Sequence, residues 1–243
     1  MSQFKASRMT PLFHRQLISG SVLKVIAMVS MLIDHTMRMC FVHAAWANEV
    51  IFSTTRYNID VRCIIRMTIG RLAFPIFAFL LTEGFRHTRS RRRYALTMLA
   101  FALITEPIWD LTHLGVFFSL RTQNVLFTLF IGVCAMMLYE QLRDRPVQRF
   151  MTLFALLAAS FFMRMDYGTA GVAFILLLYV LPDITTKLLA AACTFAGFKS
   201  FALVAFIPIA LYNGQRGFIC GSLGKYCVYA FYPLHLLVLE LIS

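Results

Sequence analysis

Charged side chains are scarce in this sequence, because Asp, Glu, Lys and Arg together make up 14% of its 243 residues. A soluble domain usually carries about a quarter charged residues and about half apolar ones, whereas apolar residues reach 60% here. This scarcity excludes an ordinary soluble protein and leaves very little chain for a separate soluble domain. We therefore predict a single integral membrane domain over residues 1–243, built as an all-α bundle of transmembrane helices.

Acidic residues are scarcer still, with 11 Asp and Glu against 23 Lys and Arg and a net charge of +12. The basic residues stand in short segments between apolar runs, not in a pattern that reads a nucleic-acid groove. Short cytoplasmic loops of membrane proteins collect Lys and Arg in this way. We therefore expect membrane lipid around the chain and no nucleic-acid partner.

Metal-binding motifs are missing as well. None of the six cysteines belongs to a CxxC motif or to a Cys/His cluster with zinc-ligand spacing, so we expect no metal. Cys40 and Cys63 can lie on the same outer side of a membrane, and the sequence leaves open whether they form a disulfide.

Nine apolar segments, separated by charged residues, Gly or Pro, predict the membrane spans: 20–42, 69–86, 94–112, 123–141, 149–163, 168–182, 186–197, 199–213 and 225–242. The seventh and eighth are short and can instead form one bent span, so eight spans are the alternative. The "AWA" at 45–47 resembles a signal-peptide cleavage site, but Asp34, His35 and Arg38 interrupt the approach to it. We therefore predict an uncleaved first span.

Clusters of basic residues occupy alternate connections. They are the N-terminal tail with Lys5, Arg8 and Arg15, the "RHTRSRRR" at 86–93, and the fourth connection with Arg143, Arg145 and Arg149. The positive-inside rule then predicts a cytoplasmic N-terminus, with the long connection at 43–68 outside. With nine spans Arg216 and Lys225 also fall inside, which favours nine over eight.

Polar side chains interrupt the spans at one shared depth under this topology, in the outer half. They are His35, Arg71, Glu106, Asn124, Asp166, Tyr167 and His235. Ionisable groups at membrane depth usually face a protein interior or a wet cavity and mark a functional site. Structural roles are the alternative: an interfacial anchor for Arg71, a helix cap for Asn124 and a turn for Asp166. Glu106 is the hardest to explain structurally, because a carboxylate beside apolar residues needs a partner.

The first span carries a polar stripe on one helix face. Lys24 and His35 are eleven residues apart, which places the imidazole roughly 16 Å deeper along the helix than the ammonium group. Asp34 points away from this face, and we expect it to pair with Arg38 at i+4. The alternative for Lys24 is an ordinary positive flank of a span.

Several motifs resemble the TraX family, whose namesake is the conjugative F-pilin acetylase. They are "LKVIAMVSMLIDHTMRMCF", "GRLAFPIFAFLLTEG", "NVLFTLFIG", "DYGTAGV" and the final "YPLHLLVL", which follow one another through most of the chain. The spacing from Lys24 to His35 is also similar to the basic-x10-His element of acyltransferase-3-type membrane acyltransferases. Residues 86–122 and 183–224 match only weakly.

The resemblance implies a transmembrane acetyltransferase of the bacterial cytoplasmic membrane that uses acetyl-CoA as donor. The acceptor is an amine of a peptide or amino sugar, or a hydroxyl of a surface polymer, in the outer half of the membrane. The donor phosphates are expected to contact the basic residues Lys24, Arg89, Arg91, Arg92 and Arg93.

His35 is then the expected general base, with His235 as the second candidate, because imidazole titrates near neutrality. Glu106, Asp34 or Asp166 can orient the imidazole or bind the acceptor amine. Arg71, Asn124 or Tyr167 can stabilise the oxyanion. Two other classes stay open: a small proton-coupled transporter, in which buried His and Glu carry protons, and a non-catalytic assembly factor for a surface polymer.

Overall fold

The computed structural model describes residues 17–53, 58–195 and 197–243, of which 197–200 are described by backbone alone. The basic tail residues Lys5, Arg8 and Arg15, used above for orientation, lie outside the described residues. Within the described part, most residues are helical.

Ten α-helices follow one another along the described chain: α1 Gly20–Met39, α2 Val61–Thr68, α3 Ala73–His87, α4 Arg91–Leu114, α5 Val125–Gln141, α6 Pro146–Phe162, α7 Gly168–Val180, α8 Ile184–Thr194, α9 Phe206–Ala210 and α10 Gly221–Ile242. Three 3-10 segments lie between them, at Ala45–Asn48, Gly70–Leu72 and Gly197–Ala205. A small antiparallel sheet joins β1 Val50–Ser53 to β2 Asn58–Asp60.

Polar side chains cap several helices at the points where the apolar runs begin. Ser19 caps α1, Ser90 caps α4, Asn124 caps α5 and Asp183 caps α8, each accepting a backbone N–H of the first turn. Such caps satisfy donors that a helix start leaves free. At the other end of α4, Gly115 takes the left-handed conformation (φ 69°) that suits a glycine C-cap.

The second predicted span is a broken helix. α2 ends at Thr68, a 3-10 turn covers Gly70–Leu72, and α3 continues from Ala73. Ser30 of α1 donates to the carbonyl of Ile69 at 2.5 Å in this break. A Cβ added to Gly70 would lie 2.7 Å from the Asp34 carboxylate, so glycine at this position lets α1 pack closely against the break.

Hydrogen bonds and ion pairs link several helix ends at one end of the bundle, and we name this end of the bundle the basic end. Leu17 and Gly20, at the start of α1, bond to the carbonyls of Leu211 and Gln215. Arg86 of α3 bonds to the Tyr179 carbonyl of α7 at 2.8 Å. Tyr179 in turn donates to Glu140 of α5, which faces Arg91 of α4 at 3.8 Å. The connections that follow α3, α5 and α7 therefore lie at one end of the bundle.

At the opposite end, the connections after α4 and α6 lie side by side, because Gln123 and Met165 form a parallel bridge. The core between the two ends is aromatic and aliphatic, with Phe79, Phe85 and Phe174 almost fully buried. α5 and α7 supply much of this core, and α4 packs against both α5 and α10.

Four of the described helical segments are long and apolar enough to cross a membrane by length and composition: Gly20–Met39, Val61–His87, Arg91–Leu114 and Gly221–Ile242. The remaining apolar helices are shorter. The prediction of a helical bundle is confirmed at this level. The all-α prediction missed the β1–β2 sheet, a short hairpin inside the long connection after α1 that pairs Val50 with Asp60, Phe52 with Ile59 and Ser53 with Asn58. Cys40 and Cys63 are both free thiols.

Candidate functional site

A cavity of about 180 Å³ lies between α1, α3, α4, α5 and α10, and we name it the chamber. Its wall is mostly apolar, with Met31, Phe74, Phe77, Met98 and Leu129 among the lining residues. The polar lining residues come from different parts of the chain: Lys24, Asp34, His35, Arg71, Asp166, Tyr167 and Tyr232. A cavity that is largely apolar and has a few convergent polar groups is the usual form of a small-molecule site.

Two buried histidines form the polar centre of this region. Nδ1 of His35 and Nε2 of His235 lie 2.6 Å apart, and the two nearly parallel rings lie end to end with centroids 4.9 Å apart. Only 8% of His35 and 6% of His235 is exposed. The two residues stand 200 positions apart in the sequence, so this pair depends on the packing of α10 against α1.

The hydrogen bonds of the pair define which nitrogen carries a proton when both rings are neutral. Nδ1 of His235 lies 2.8 Å from the carbonyl oxygen of Phe231, which can only accept. Nδ1 of His235 is therefore the donor, and its Nε2 accepts from Nδ1–H of His35. This assignment leaves a lone pair on Nε2 of His35, the nitrogen that a general base needs.

A third histidine borders the pair. The ring of His113, in the last turn of α4, meets the ring of His35 edge-on with centroids 6.4 Å apart. Nδ1 of His113 lies 3.0 Å from the backbone carbonyl of Trp109, and the His113 ring stacks on the Trp109 ring. Tyr232 packs beside His35 at a centroid distance of 6.2 Å. Neither His113 nor Tyr232 stood out in the sequence.

The chamber wall near His35 also contains Asp34, Arg71, Asp166 and Tyr167. The Arg71 guanidinium and the Tyr167 hydroxyl interact electrostatically. Tyr167 precedes α7 in a left-handed conformation (φ 63°), and its ring stacks on Phe74 at 3.8 Å. A phenol is protonated at neutral pH, so the Tyr167 hydroxyl can donate a hydrogen bond.

Asp34 differs from the sequence expectation in its partner. Its Oδ1 accepts from Nε of Arg66 at 3.1 Å, so the carboxylate bridges α1 to α2. The expected i+4 pairing of Asp34 with Arg38 is wrong. Asp34 forms its ion pair with Arg66 instead, because α2 packs against α1 and brings Arg66 to this carboxylate.

Glu106 and Asn124 pair with each other. Oε2 of Glu106 accepts from Nδ2 of Asn124 at 2.5 Å and from its backbone N–H at 3.1 Å. Asn124 also caps α5 through Leu126 N–H and bonds to the carbonyl of Ala102. This contact ties α4 to α5, and neither residue is among the described lining residues of the chamber. Glu106 thus has the buried partner that the sequence left unexplained.

A second cavity, of about 560 Å³, opens at the basic end, and we name it the mouth. Cationic and potentially cationic side chains from four parts of the chain line it: Lys24, His87, Arg89, Arg216 and Lys225. Glu83 lines it as well and contacts Arg86 at 3.4 Å.

The four loop arginines, Arg89, Arg91, Arg92 and Arg93, do not all lie in the mouth. Arg89 lines the mouth. Arg91 instead faces Glu140 and lies over the ring of Phe85 at 4.8 Å. Arg92 and Arg93 start α4, are exposed, and are not among the described lining residues of either cavity. Arg216, from the loop before α10, and Lys225, from the start of α10, line the mouth together with Arg89.

That loop is fastened to α1 by backbone and serine contacts. Ser21 donates to the carbonyl of Arg216 at 2.8 Å and accepts from the N–H of Ile219 at 2.7 Å. Gly217 has a φ of 80°, and a Cβ there would lie 2.4 Å from the Ser19 hydroxyl. The loop can lie this close to α1 because residue 217 is a glycine.

The mouth and the chamber adjoin each other. Five residues line both cavities and form what we name the neck: Lys24, Leu80, Tyr94, Val228 and Tyr229. Taken together, the two adjoining cavities extend from the cations of the basic end to His35.

Comparisons with known proteins agree with the motifs noted above. The TraX protein family matches residues 19–243. The chain belongs to the TraX family. It is also 29% identical to the probable fimbrial assembly protein FimC, serogroup H1, of Dichelobacter nodosus, over 91% of this chain and 94% of that protein. No solved structure matches.

This TraX-family chain thus has functional candidates that the sequence alone did not single out: Tyr232 and His113 beside the histidine pair, Arg216 and Lys225 in the mouth, and Tyr94 and Tyr229 in the neck. Residues 183–224 resemble the family only weakly, so the motifs gave no role to the loop that carries Arg216. The placement of Arg216 and Lys225 on the side of the other basic connections was the one available signal.

Proposed function

We propose that this protein is a transmembrane acetyltransferase that moves an acetyl group from acetyl-CoA, bound from the basic end, to an acceptor in the half of the membrane nearer the opposite end. The observation that carries the proposal is that a cationic mouth adjoins a chamber lined by His35, one member of a buried histidine pair. A donor with phosphates at one end and a reactive thioester at the other fits this arrangement in one orientation.

The proposed topology has nine spans and a cytoplasmic N-terminus in the bacterial inner membrane. The broken helix α2–α3 forms one span, and the 3-10 segment Gly197–Ala205 with α9 forms another. The basic end would then face the cytoplasm, where the positive-inside rule places Lys and Arg and where acetyl-CoA is found. The β1–β2 sheet would lie on the outer side.

In the mouth, Lys24, Arg89, Arg216 and Lys225 would contact the phosphates of CoA through charge-assisted hydrogen bonds. The start of α1 lines the same cavity at Gly20, and the positive end of its dipole adds to this attraction. The pantetheine arm would pass the neck and bring the thioester into the chamber. Arg92 and Arg93 have no part in this proposal except to set the topology.

In the chamber, Nε2 of His35 would remove the proton from the acceptor nitrogen or oxygen as that atom attacks the thioester carbonyl. His235 holds the other nitrogen of His35 and accepts its hydrogen bond throughout. When the tetrahedral intermediate collapses, the carbon–sulfur bond breaks and the sulfur leaves as a thiolate. The imidazolium of His35 then returns the proton to that thiolate, which restores the neutral base and releases CoA.

The oxyanion that forms on the thioester carbonyl needs a fixed donor. Tyr167 is the best placed of the expected candidates, because it lines the chamber, its phenol can donate, and it interacts with the Arg71 guanidinium of the same wall. The Asn124 side chain donates to Glu106 and accepts from the backbone N–H of Leu126, so we give it a structural role and not that of the oxyanion donor. Asp34 and Asp166 line the chamber near these groups and are the candidates to receive a cationic acceptor amine.

The name of the Dichelobacter relative makes a fimbrial subunit the first acceptor to test. A peptide with the free N-terminal amine of such a subunit would be compared with the same peptide carrying a blocked amine, and with an amino sugar. Transfer to the free amine alone would identify an N-acetyltransferase for peptides.

The deciding experiment uses the full chain purified in detergent. CoA is expected to raise its melting temperature, and acetyl-CoA is expected to be consumed when an acceptor is supplied. A proton-coupled transporter or a non-catalytic assembly factor predicts no effect of CoA on stability and no transfer. The absence of both effects would reject the acetyltransferase.

A further inference from the structure

The neck is the place where the two cavities adjoin, so a ligand that occupies both must pass its residues. Leu80 and Val228 contribute apolar side chains there, and Lys24 contributes an ammonium group that faces the mouth as well. The remaining polar atoms of the neck are the hydroxyls of Tyr94, from α4, and Tyr229, from α10. Neither tyrosine contacts the histidine pair, so the chemistry proposed above gives them no role.

The two tyrosines come to the neck from neighbouring helices, because α4 packs against α10 and each tyrosine lines both cavities. The Tyr94 hydroxyl donates to the carbonyl of Leu81 at 3.4 Å. A Cβ added to Gly84 would lie 2.8 Å from the Tyr94 hydroxyl, so the glycine leaves the room that this hydroxyl occupies. The two hydroxyls are thus the uncharged polar side-chain groups among the neck residues.

The arm of CoA between the phosphates and the sulfur carries two amide groups. An amide moved from water into an apolar passage loses free energy unless it finds a hydrogen-bond partner. Backbone amides of the surrounding helices are engaged in their own helices, so side-chain hydroxyls are the partners that a neck of this kind can offer. A tyrosine hydroxyl can both donate and accept, which suits the N–H and the C=O of an amide.

We propose that the hydroxyls of Tyr94 and Tyr229 bind the amide groups of the pantetheine arm where it passes the neck. This assignment rests on the proposed function. It makes the neck a specificity site: the mouth recognises the phosphates of the donor, and the neck recognises its arm. A donor without the amides would cross the neck without these hydrogen bonds.

The test replaces each hydroxyl alone, in Tyr94→Phe and Tyr229→Phe, and measures binding of two ligands to the purified full chain. Acetyl-CoA spans mouth and neck, whereas adenosine 3′,5′-bisphosphate has the phosphates without the arm. Each variant is expected to weaken acetyl-CoA binding about 2- to 10-fold, the range for one net hydrogen bond. Binding of adenosine 3′,5′-bisphosphate is expected to stay unchanged.

Tyr226→Phe is the matched control. Tyr226 lies one helical turn from Tyr229 on α10, is 49% exposed, and is not among the described lining residues of either cavity. It should bind both ligands as the wild type does. Unchanged acetyl-CoA binding in both neck variants, or equal weakening of both ligands, would overturn the proposal.

A measurement on the wild-type chain covers the case in which a neck variant does not fold. An acetyl-CoA analogue with methylene groups in place of its amide groups is expected to bind more weakly than acetyl-CoA, by about the product of the two single-variant effects. Equal binding of analogue and acetyl-CoA would overturn the role of the neck and leave the proposed function standing. Failure of the wild type to bind acetyl-CoA at all would instead reject the proposed function.

Discussion

The chamber and the mouth use polar groups in opposite ways. At the chamber wall His35 is almost fully buried and is bonded at 2.6 Å to the equally buried His235 behind it. In the mouth Arg89 and Arg216 are exposed, and the cations come from separate connections. Buried, fixed groups can act on a single atom, whereas exposed cations attract an anion without fixing it and are screened by salt. The comparison suggests that the two cavities divide the work: chemistry in one, capture of the donor in the other.

The largest effect is expected from His35→Ala. Loss of a positioned base lowers the rate of transfer by about 10²–10⁴. The contacts to the phosphates lie about three helical turns away, so CoA should still bind. Transfer rate, CoA affinity and melting temperature are measured on one preparation.

If His35 had a structural role instead, its removal would lower the transfer rate, the CoA affinity and the melting temperature together. If the variant is folded, binds CoA and transfers at nearly the wild-type rate, His35 is not the base and His235 must take the role.

The second largest effect is expected from His235→Ala, because it removes the acceptor that fixes the tautomer of His35. The bond becomes charge-assisted when His35 takes up a proton, and its loss should lower transfer about 10- to 100-fold. CoA affinity should not change. His235→Asn offers an amide oxygen as a replacement acceptor and is expected to recover part of the rate; equal rates in the two variants would argue against a positioning role.

A smaller effect is expected in the mouth, from replacing Arg89 and Arg216 together with Gln. Exposed charges are screened, so the CoA affinity should fall about 3- to 10-fold at physiological salt and more at low salt. The rate at saturating donor should stay near that of the wild type. Arg92→Gln with Arg93→Gln removes the same charge outside the cavities and serves as the control; an equal loss there would mean that net charge alone attracts the donor.

The smallest effect on transfer is expected from Asn124→Ala. This change removes the cap of α5 and the partner of Glu106, so it should lower the stability by about 1 kcal/mol for the cap and more for the carboxylate left behind. The folded protein should transfer at nearly the wild-type rate, as judged from the melting temperature and the rate on the same sample. A large loss of rate without loss of stability would return Glu106 and Asn124 to the site.

Residue chemistry and spacing predicted part of this site. Lys24 and His35 both line the chamber as one helical face should, because both residues belong to one helix whose geometry is local. Asn124, predicted as an acceptor or oxyanion residue, is the helix cap that the structural alternative described. Arg71, Asp166 and Tyr167 do meet at the chamber. The shared depth of the polar residues did not predict where Glu106 would point. Depth along the membrane does not say which way a helix face is turned, and Glu106 on α4 faces Asn124 at the start of α5.

The sequence by itself determined that this chain is a helical membrane protein of the TraX family, since hydropathy, capping residues and motifs are properties of contiguous segments. Only the tertiary structure decided that His35 meets His235, that Asp34 meets Arg66, and that Arg216 joins Arg89 in one cavity. These contacts depend on how each helix is rotated against its neighbours. That rotation is set by packing across the whole bundle, including glycines such as Gly70, and no local pattern records it.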